Sequence, residues 1–205
     1  IKVDVEQLPI DMMTMAAHKM YGPKGLGALY VRRGVKLIPT LHGGGQEFGL
    51  RSGTENVPGI VGFGVAAEIA KERLERGDDK KLAQLRDYFI DGVLSRIPES
   101  HLTGATGDAR LPFHTSFTVK YIEGEGMLLL LDAAGIAASS GSACTSGSLE
   151  PSYVLLATGL DHTTAHGSVR LTISHDTTKE DIDYVLEKFP EIVEKLRAMS
   201  PFYKK

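Results

Sequence analysis

Apolar positions recur along the chain in two rhythms, and the switches between them mark out its elements. Residues 10–15 form a short apolar run that reads as a buried strand, and 28–31, beyond a glycine-punctuated turn, read as another. Residues 42–56 are glycine-rich without a usable period and read as loop. Asn56 then caps a helix with Pro58 just inside it, carrying Ile60, Val61, Val65, Ile69 and Leu74. The charged run 71–81 suits either a hinge between two domains or a solvated helix end. A second helix over 79–97 places Leu82, Leu85, Phe89, Val93 and Ile97 on one face, and Pro98 stops it. Residues 116–122 alternate, with Phe117, Val119 and Tyr121 together, which predicts a half-exposed strand. A helix over 125–134 ends at Gly135, a short strand follows at 136–138, and 139–148, small and polar throughout, read as a mobile loop. A helix over 149–158 closes at Gly159, and Val169, Leu171 and Ile173 alternate as a strand. Thr178 with Asp181 resembles a capping box opening a last helix through Ile182, Val185, Leu186, Phe189, Val193 and Leu196. Pro190 should kink or restart that helix.

From about residue 79 the order is helix, strand, helix, strand, loop, helix, strand, helix, which predicts an α/β or α+β domain. The first 75 or so residues do not resemble a whole domain, so the chain divides into 1–75 and 76–205. Composition narrows the function. Hydrophobic residues make up 42% and charged residues 24%, ordinary for a folded protein and wrong for a disordered one. With 23 Lys+Arg against 26 Asp+Glu, the net charge of −3 gives no electrostatic footprint for nucleic acid or an anionic membrane. The longest aliphatic run, Met127 to Leu131, falls far short of the ~20 residues of a spanning helix, and no basic-then-apolar signal pattern opens the chain. Cys144 is the only cysteine, which excludes an intrachain disulfide and a multi-cysteine metal site and makes a reducing cytoplasm the expected setting. Glycine stands out, 23 in 205 residues against roughly 7% on average, clustered where backbone could approach a ligand closely. The chain opens on Ile1, so a processed product or a fragment is expected.

Four places carry residue types suited to chemistry. Lys19, with His18 before it, follows the first apolar run directly. A partly buried lysine amine becomes a nucleophile able to condense with an aldehyde, whereas the plainer alternative is a turn lysine with its head in water. Cys144 lies in Ser140-Gly141-Ser142-Ala143-Cys144-Thr145-Ser146-Gly147, with no bulky apolar neighbour within four residues. Such a thiol has nothing local to pack against and suits attack on a substrate or sulfur carriage, although no neighbouring Lys, Arg or His lowers its pKa. Arg170 lies on the alternating strand between apolar residues that face the other way. There it could bind a carboxylate in a bidentate fork or simply face solvent. Arg51-Ser52-Gly53-Thr54-Glu55-Asn56 joins a glycine-rich loop to a helix N-terminus, a geometry that holds phosphate, although such loops are common for turn reasons alone.

Taken together, these segments resemble a known family. The run 17–31, AHKMYGPKGLGALYV, resembles the lysine segment of cysteine desulfurases of the NifS/IscS class. Residues 42–64 resemble that family's loop before a long helix, and 139–153 its cysteine loop in the long, glycine- and serine-rich form. The likeness extends over essentially the whole chain, including 165–174 and the closing Met199-Ser200-Pro201. It implies a fold-type I enzyme dependent on pyridoxal 5′-phosphate and acting as a homodimer. This chain would supply the end of the large-domain sheet and a complete small domain. By motif, Lys19 would be the Schiff-base lysine, His18 would approach the cofactor phosphate, and Thr54 would reach the phosphate in the neighbouring subunit. Arg170 would hold the substrate α-carboxylate. Cys144 would take sulfur from L-cysteine as a persulfide, release L-alanine and hand the sulfur to an iron–sulfur cluster scaffold protein. Two departures stand out: Ala16 replaces a serine that many relatives use to hold the phosphate, and the family's N-terminal half is absent, so that half is expected as a required complement. Alternatives are a selenocysteine lyase, an aminotransferase, or a non-enzymatic sulfur-carrier and scaffold-docking module.

Overall fold

The computed structural model describes residues 1–140 and 150–203. The chain is mixed α/β and divides into two compact units, Ile1–Gly77 and Asp78–Lys205.

In the first unit, strand β1 (Met12–Ala16) pairs antiparallel with β2 (Gly27–Val31), from Met12 opposite Val31 to Ala16 opposite Gly27. A single 3-10 turn, Ala17–Met20, leaves β1. The turn is pinned by Ala17 N–H donating to Leu26 O at 3.1 Å and Gly22 N–H donating to Ala17 O at 2.8 Å. Gly22 is required there, because a Cβ would stand 2.9 Å from Ala17 O. Helix α1 (Val57–Glu75) begins as its sequence predicts, with the Asn56 side chain accepting from Gly59 N–H at 3.2 Å and Pro58 in the first turn. It packs on the 3-10 turn and the segment behind it. A Cβ at Gly59 would lie 2.4 Å from Leu26 Cδ2, and one at Gly62 2.7 Å from Pro23 Cγ, so these two glycines let the helix approach. Arg32 ties down the opening segment by donating to the carbonyls of Val5, Leu8 and Ile10. The apolar run is not the buried strand its composition predicts. Met12 is half-exposed, and among the described residues of this unit the buried apolar side chains are Ala17 and Ala66.

The second unit holds a three-stranded antiparallel sheet in the order β3 (Ser100–Leu102), β4 (His114–Val119), β5 (Ser168–Thr172). Helices α2 (Asp78–Arg96) and α3 (Gly124–Ala133) and the long α6 (Lys179–Met199) form its apolar layer. Phe117, Val119, Val169 and Leu171 from the sheet meet Phe89, Val93, Met127, Leu131, Leu186, Phe189 and Val193 from the helices. Gly92 brings α2 and α6 together, since a Cβ there would stand 2.5 Å from Leu186 Cδ1. The predicted capping box opens α6, with Thr178 and Asp181 bonding each other's backbone N–H.

Several expectations are corrected. β4 starts at His114 and is buried on both faces from Thr115 to Val119, because α5 (His162–His166) packs on β4 as well. β3 and α5 are too short to leave a period in the sequence. Residues 136–138 form no strand; an isolated bridge joins the next residue, Ser139, to Arg170. The helix expected over 149–158 is the short α4 (Tyr153–Ala157). The mobile-loop expectation for 139–148 falls mostly on residues outside those described.

Pro190 does not interrupt α6. Lacking an N–H, it leaves Leu186 O without its helical donor, and Arg96 Nη1 on α2 donates to that oxygen at 2.9 Å. Arg96→Met is therefore expected to cost about 1–3 kcal/mol by orphaning a partly buried carbonyl, read as a lower urea midpoint at unchanged m-value.

Candidate active site

Lys19 and His18 share the 3-10 turn that leaves β1, and both are exposed. Among the described residues the Lys19 amine has no hydrogen-bond or ion-pair partner. The turn beneath it is held from two sides, by the Ala17 hydrogen bonds and by α1, whose Arg73 guanidinium lies 5.1 Å from the Tyr21 ring centroid. The backbone is thus fixed while the amine stands in water, so the structure shows the exposed turn lysine and not the partly buried one. His18, Lys19 and Thr54 are all exposed, an amine open to an aldehyde and two groups able to bond a phosphate, so their chemistry is compatible with pyridoxal phosphate.

Thr54 is exposed on the loop that leads into α1. That loop is closed on itself, with Ser52 Oγ donating to Gly44 O at 2.8 Å and Gly53 N–H donating to Gln46 Oε1 at 3.2 Å. Positive φ at Gly53 (116°) lets the chain turn there into the helix start.

Arg170 belongs to the second unit. Val169 and Leu171 point into the core on either side of it, and Arg170 takes the opposite face, as the alternation predicts. Its backbone is fixed by β4 opposite Ser116 and by Ser139, whose N–H donates to Arg170 O at 3.0 Å and whose O accepts from Arg170 N–H at 2.6 Å. The guanidinium is half-buried and has no hydrogen-bond or ion-pair partner among the described residues. A half-buried, unpaired fork is the chemistry that receives a carboxylate. Cys144 lies outside the described residues, five positions after Ser139 in sequence.

The sequence reading missed His114, a neighbour of Arg170, and Arg110, which holds it. Arg110, buried, donates from Nη1 to His114 Nδ1 at 3.1 Å and to His114 O at 3.2 Å. His114 is the first residue of β4, on the face shared with Arg170. Burial, then the charges of Arg110 and Arg170, hold its imidazole below the ordinary histidine range. The folded protein therefore binds fewer protons at His114 than the unfolded chain does. The resulting stability is complete above about pH 6.5 and is lost as pH falls through the lowered value. The urea midpoint should accordingly drop between pH 7.5 and 5.5, with a smaller drop in His114→Asn.

The Aminotransferase class-V family profile matches residues 1–185. The chain belongs to that family. Within it, this class-V chain is 53% identical to the cysteine desulfurase IscS of Methanosarcina thermophila, over 98% of this chain and 49% of that protein. A solved NifS-like protein, 38% identical, superposes with a TM-score of 0.82 over 94% of this chain and 48% of its own. A second, described as SspA in complex with cysteine, is 33% identical with a TM-score of 0.61 over 83% of this chain and 46% of its own. The chain spans about half the length of the relatives it matches. Among the described residues, no helix is long and apolar enough to cross a membrane, and no group of His, Cys, Asp and Glu could hold a metal ion.

Proposed function

We propose that the protein carrying this chain is a pyridoxal phosphate-dependent cysteine desulfurase, converting L-cysteine and a Cys144 thiol into L-alanine and a Cys144 persulfide for iron–sulfur cluster assembly. The observation that carries this reading is the Arg170 guanidinium, half-buried, without a partner among the described residues, and fixed at its backbone by β4 and Ser139, which suits a substrate carboxylate. A relative named as a cysteine desulfurase at 53% identity, and a structural relative described in complex with cysteine, support the substrate.

In this mechanism Lys19 holds the cofactor aldehyde at rest, with His18 directed to the cofactor and Thr54 to a phosphate, that of the partner subunit in a homodimer. Pyridoxal phosphate, when bound, supplies the electron sink that stabilises negative charge at the substrate Cα. Arg170 binds the α-carboxylate in its fork, which orients the Cα–H bond. The Lys19 amine, as free base, takes the Cα proton and carries it. The Cys144 thiolate attacks the substrate sulfur, an S–S bond forms as the substrate C–S bond breaks, and the cleaved carbon is protonated to give L-alanine. The sulfur then leaves Cys144 for an acceptor such as a cluster scaffold. The cytoplasm suits a thiol that must stay reduced between turnovers.

Cys144→Ala in the full-length protein with pyridoxal phosphate is the test. Loss of L-alanine release from L-cysteine is expected. Retained turnover would point to an aminotransferase-type reaction, and persulfide transfer by cofactor-free protein would point to a sulfur carrier.

A further inference from the structure

We propose that His114, held by Arg110, is a positioning residue that keeps the Arg170 guanidinium open for the substrate carboxylate. The inference rests on the function proposed above. The β4–β5 register sets His114 opposite Thr172, Ser116 opposite Arg170 and Thr118 opposite Ser168. Thr115, Phe117 and Val119 face the core, so His114, Ser116 and Thr118 share the other face with Arg170. On that face His114 and Arg170 are diagonal neighbours, about 7–8 Å apart in an antiparallel pair.

Arg110 decides the state of the ring. A guanidinium has only donors, so His114 Nδ1 must accept, and the ring proton sits on Nε2. Arg110 is itself spent on the carbonyls of Thr103, Ala105 and His114, with no carboxylate among its side chain's hydrogen-bond partners in the described residues. Two cations, Arg110 and Arg170, thus flank one neutral imidazole. The imidazole takes up Arg110 as an acceptor and leaves Arg170 as the cation of this face without a partner among the described residues. Ser116, the residue across from Arg170, is likewise engaged, accepting from Thr103 Oγ1 at Oγ, 2.8 Å. His114 and Ser116 are thus committed elsewhere, Thr118 carries a neutral hydroxyl and no charge, and the Arg170 fork is left without an anionic partner among the described residues. His114 acts on the substrate through Arg170 and is not itself a catalytic residue.

The test uses the full-length protein with its cofactor. His114→Leu removes the acceptor for Arg110 and is expected to raise KM for L-cysteine about tenfold, with kcat within about threefold. His114→Asn, whose amide oxygen can accept from Arg110, should recover most of the loss. An unchanged KM in His114→Leu, or no recovery in His114→Asn, overturns the proposal, since a merely structural role would lower stability without this split. Nitrogen NMR of the same proteins gives a reading independent of turnover. At pH 7 His114 should show an unprotonated Nδ1, and the Arg170 side-chain signal should shift in His114→Leu and return in His114→Asn. A protonated Nδ1 or an unmoved Arg170 signal contradicts it. A wild-type protein that releases no L-alanine would sink the proposed function while these signals still decide the arrangement around His114.

Discussion

Alanine at Lys19 is expected to lower L-alanine release from L-cysteine by at least about 10²–10⁴-fold, the usual contribution of a positioned acid–base group. The same change should leave stability within about 0.5 kcal/mol of the parent, because Lys19 is exposed and has no partner among the described residues. That dissociation separates a chemical role from a structural one. Arginine should not rescue: a guanidinium stays charged at any working pH and can neither condense with an aldehyde nor accept a proton. Turnover and urea denaturation on the full-length Lys19→Ala and Lys19→Arg variants check both halves. A variant that keeps its activity would place the amine chemistry on another residue.

Phe117→Ala is expected to be the most damaging single change in the second unit. Phe117 is fully buried on the core face of β4, its ring meeting that of Phe89 on α2 edge-on, centroids 6.1 Å apart at 81°. Truncation would remove both the burial and the aromatic contact and leave a cavity among side chains from the sheet and three helices, a loss of about 3–5 kcal/mol. Domains of this size hold only about 5–15 kcal/mol in all. Urea unfolding of the two proteins should show that loss as a shifted midpoint, and Phe117→Leu should recover much of it. A loss below about 1 kcal/mol would mean the cluster repacks around the gap.

The elements legible in the sequence are those with a full period or a sharp local signal: α1 with its Asn56 cap, α2 with Leu82 to Ile97, α6 with its Thr178–Asp181 box, and the β5 alternation that turns Arg170 away from the core. Elements of three to five residues, such as β3 and α5, leave no period to read. Burial on both faces hid the start of β4. Thr115, Ser116 and Thr118 are buried although polar, so the strand reads as shorter than it is and His114 falls outside it. Starting the alternation at His114 would have placed it on the Arg170 face. That α6 does not restart at Pro190 has a partner no local pattern contains: Arg96, which donates to the freed Leu186 O, comes from 90 residues away along the chain. Lys19 and Arg170 were legible as residue types in context. That one amine is exposed on a fixed turn, and that one guanidinium lacks a partner among the described residues beside a neutral imidazole, needed the structure.

The central claim, that Lys19 is the residue that holds the cofactor, is tested most directly by borohydride reduction of the full-length protein with pyridoxal phosphate, followed by peptide mass mapping. The account predicts the phosphopyridoxyl mass on the peptide containing Lys19, with the modification at that residue. The same mass on another lysine, or on none, would contradict it.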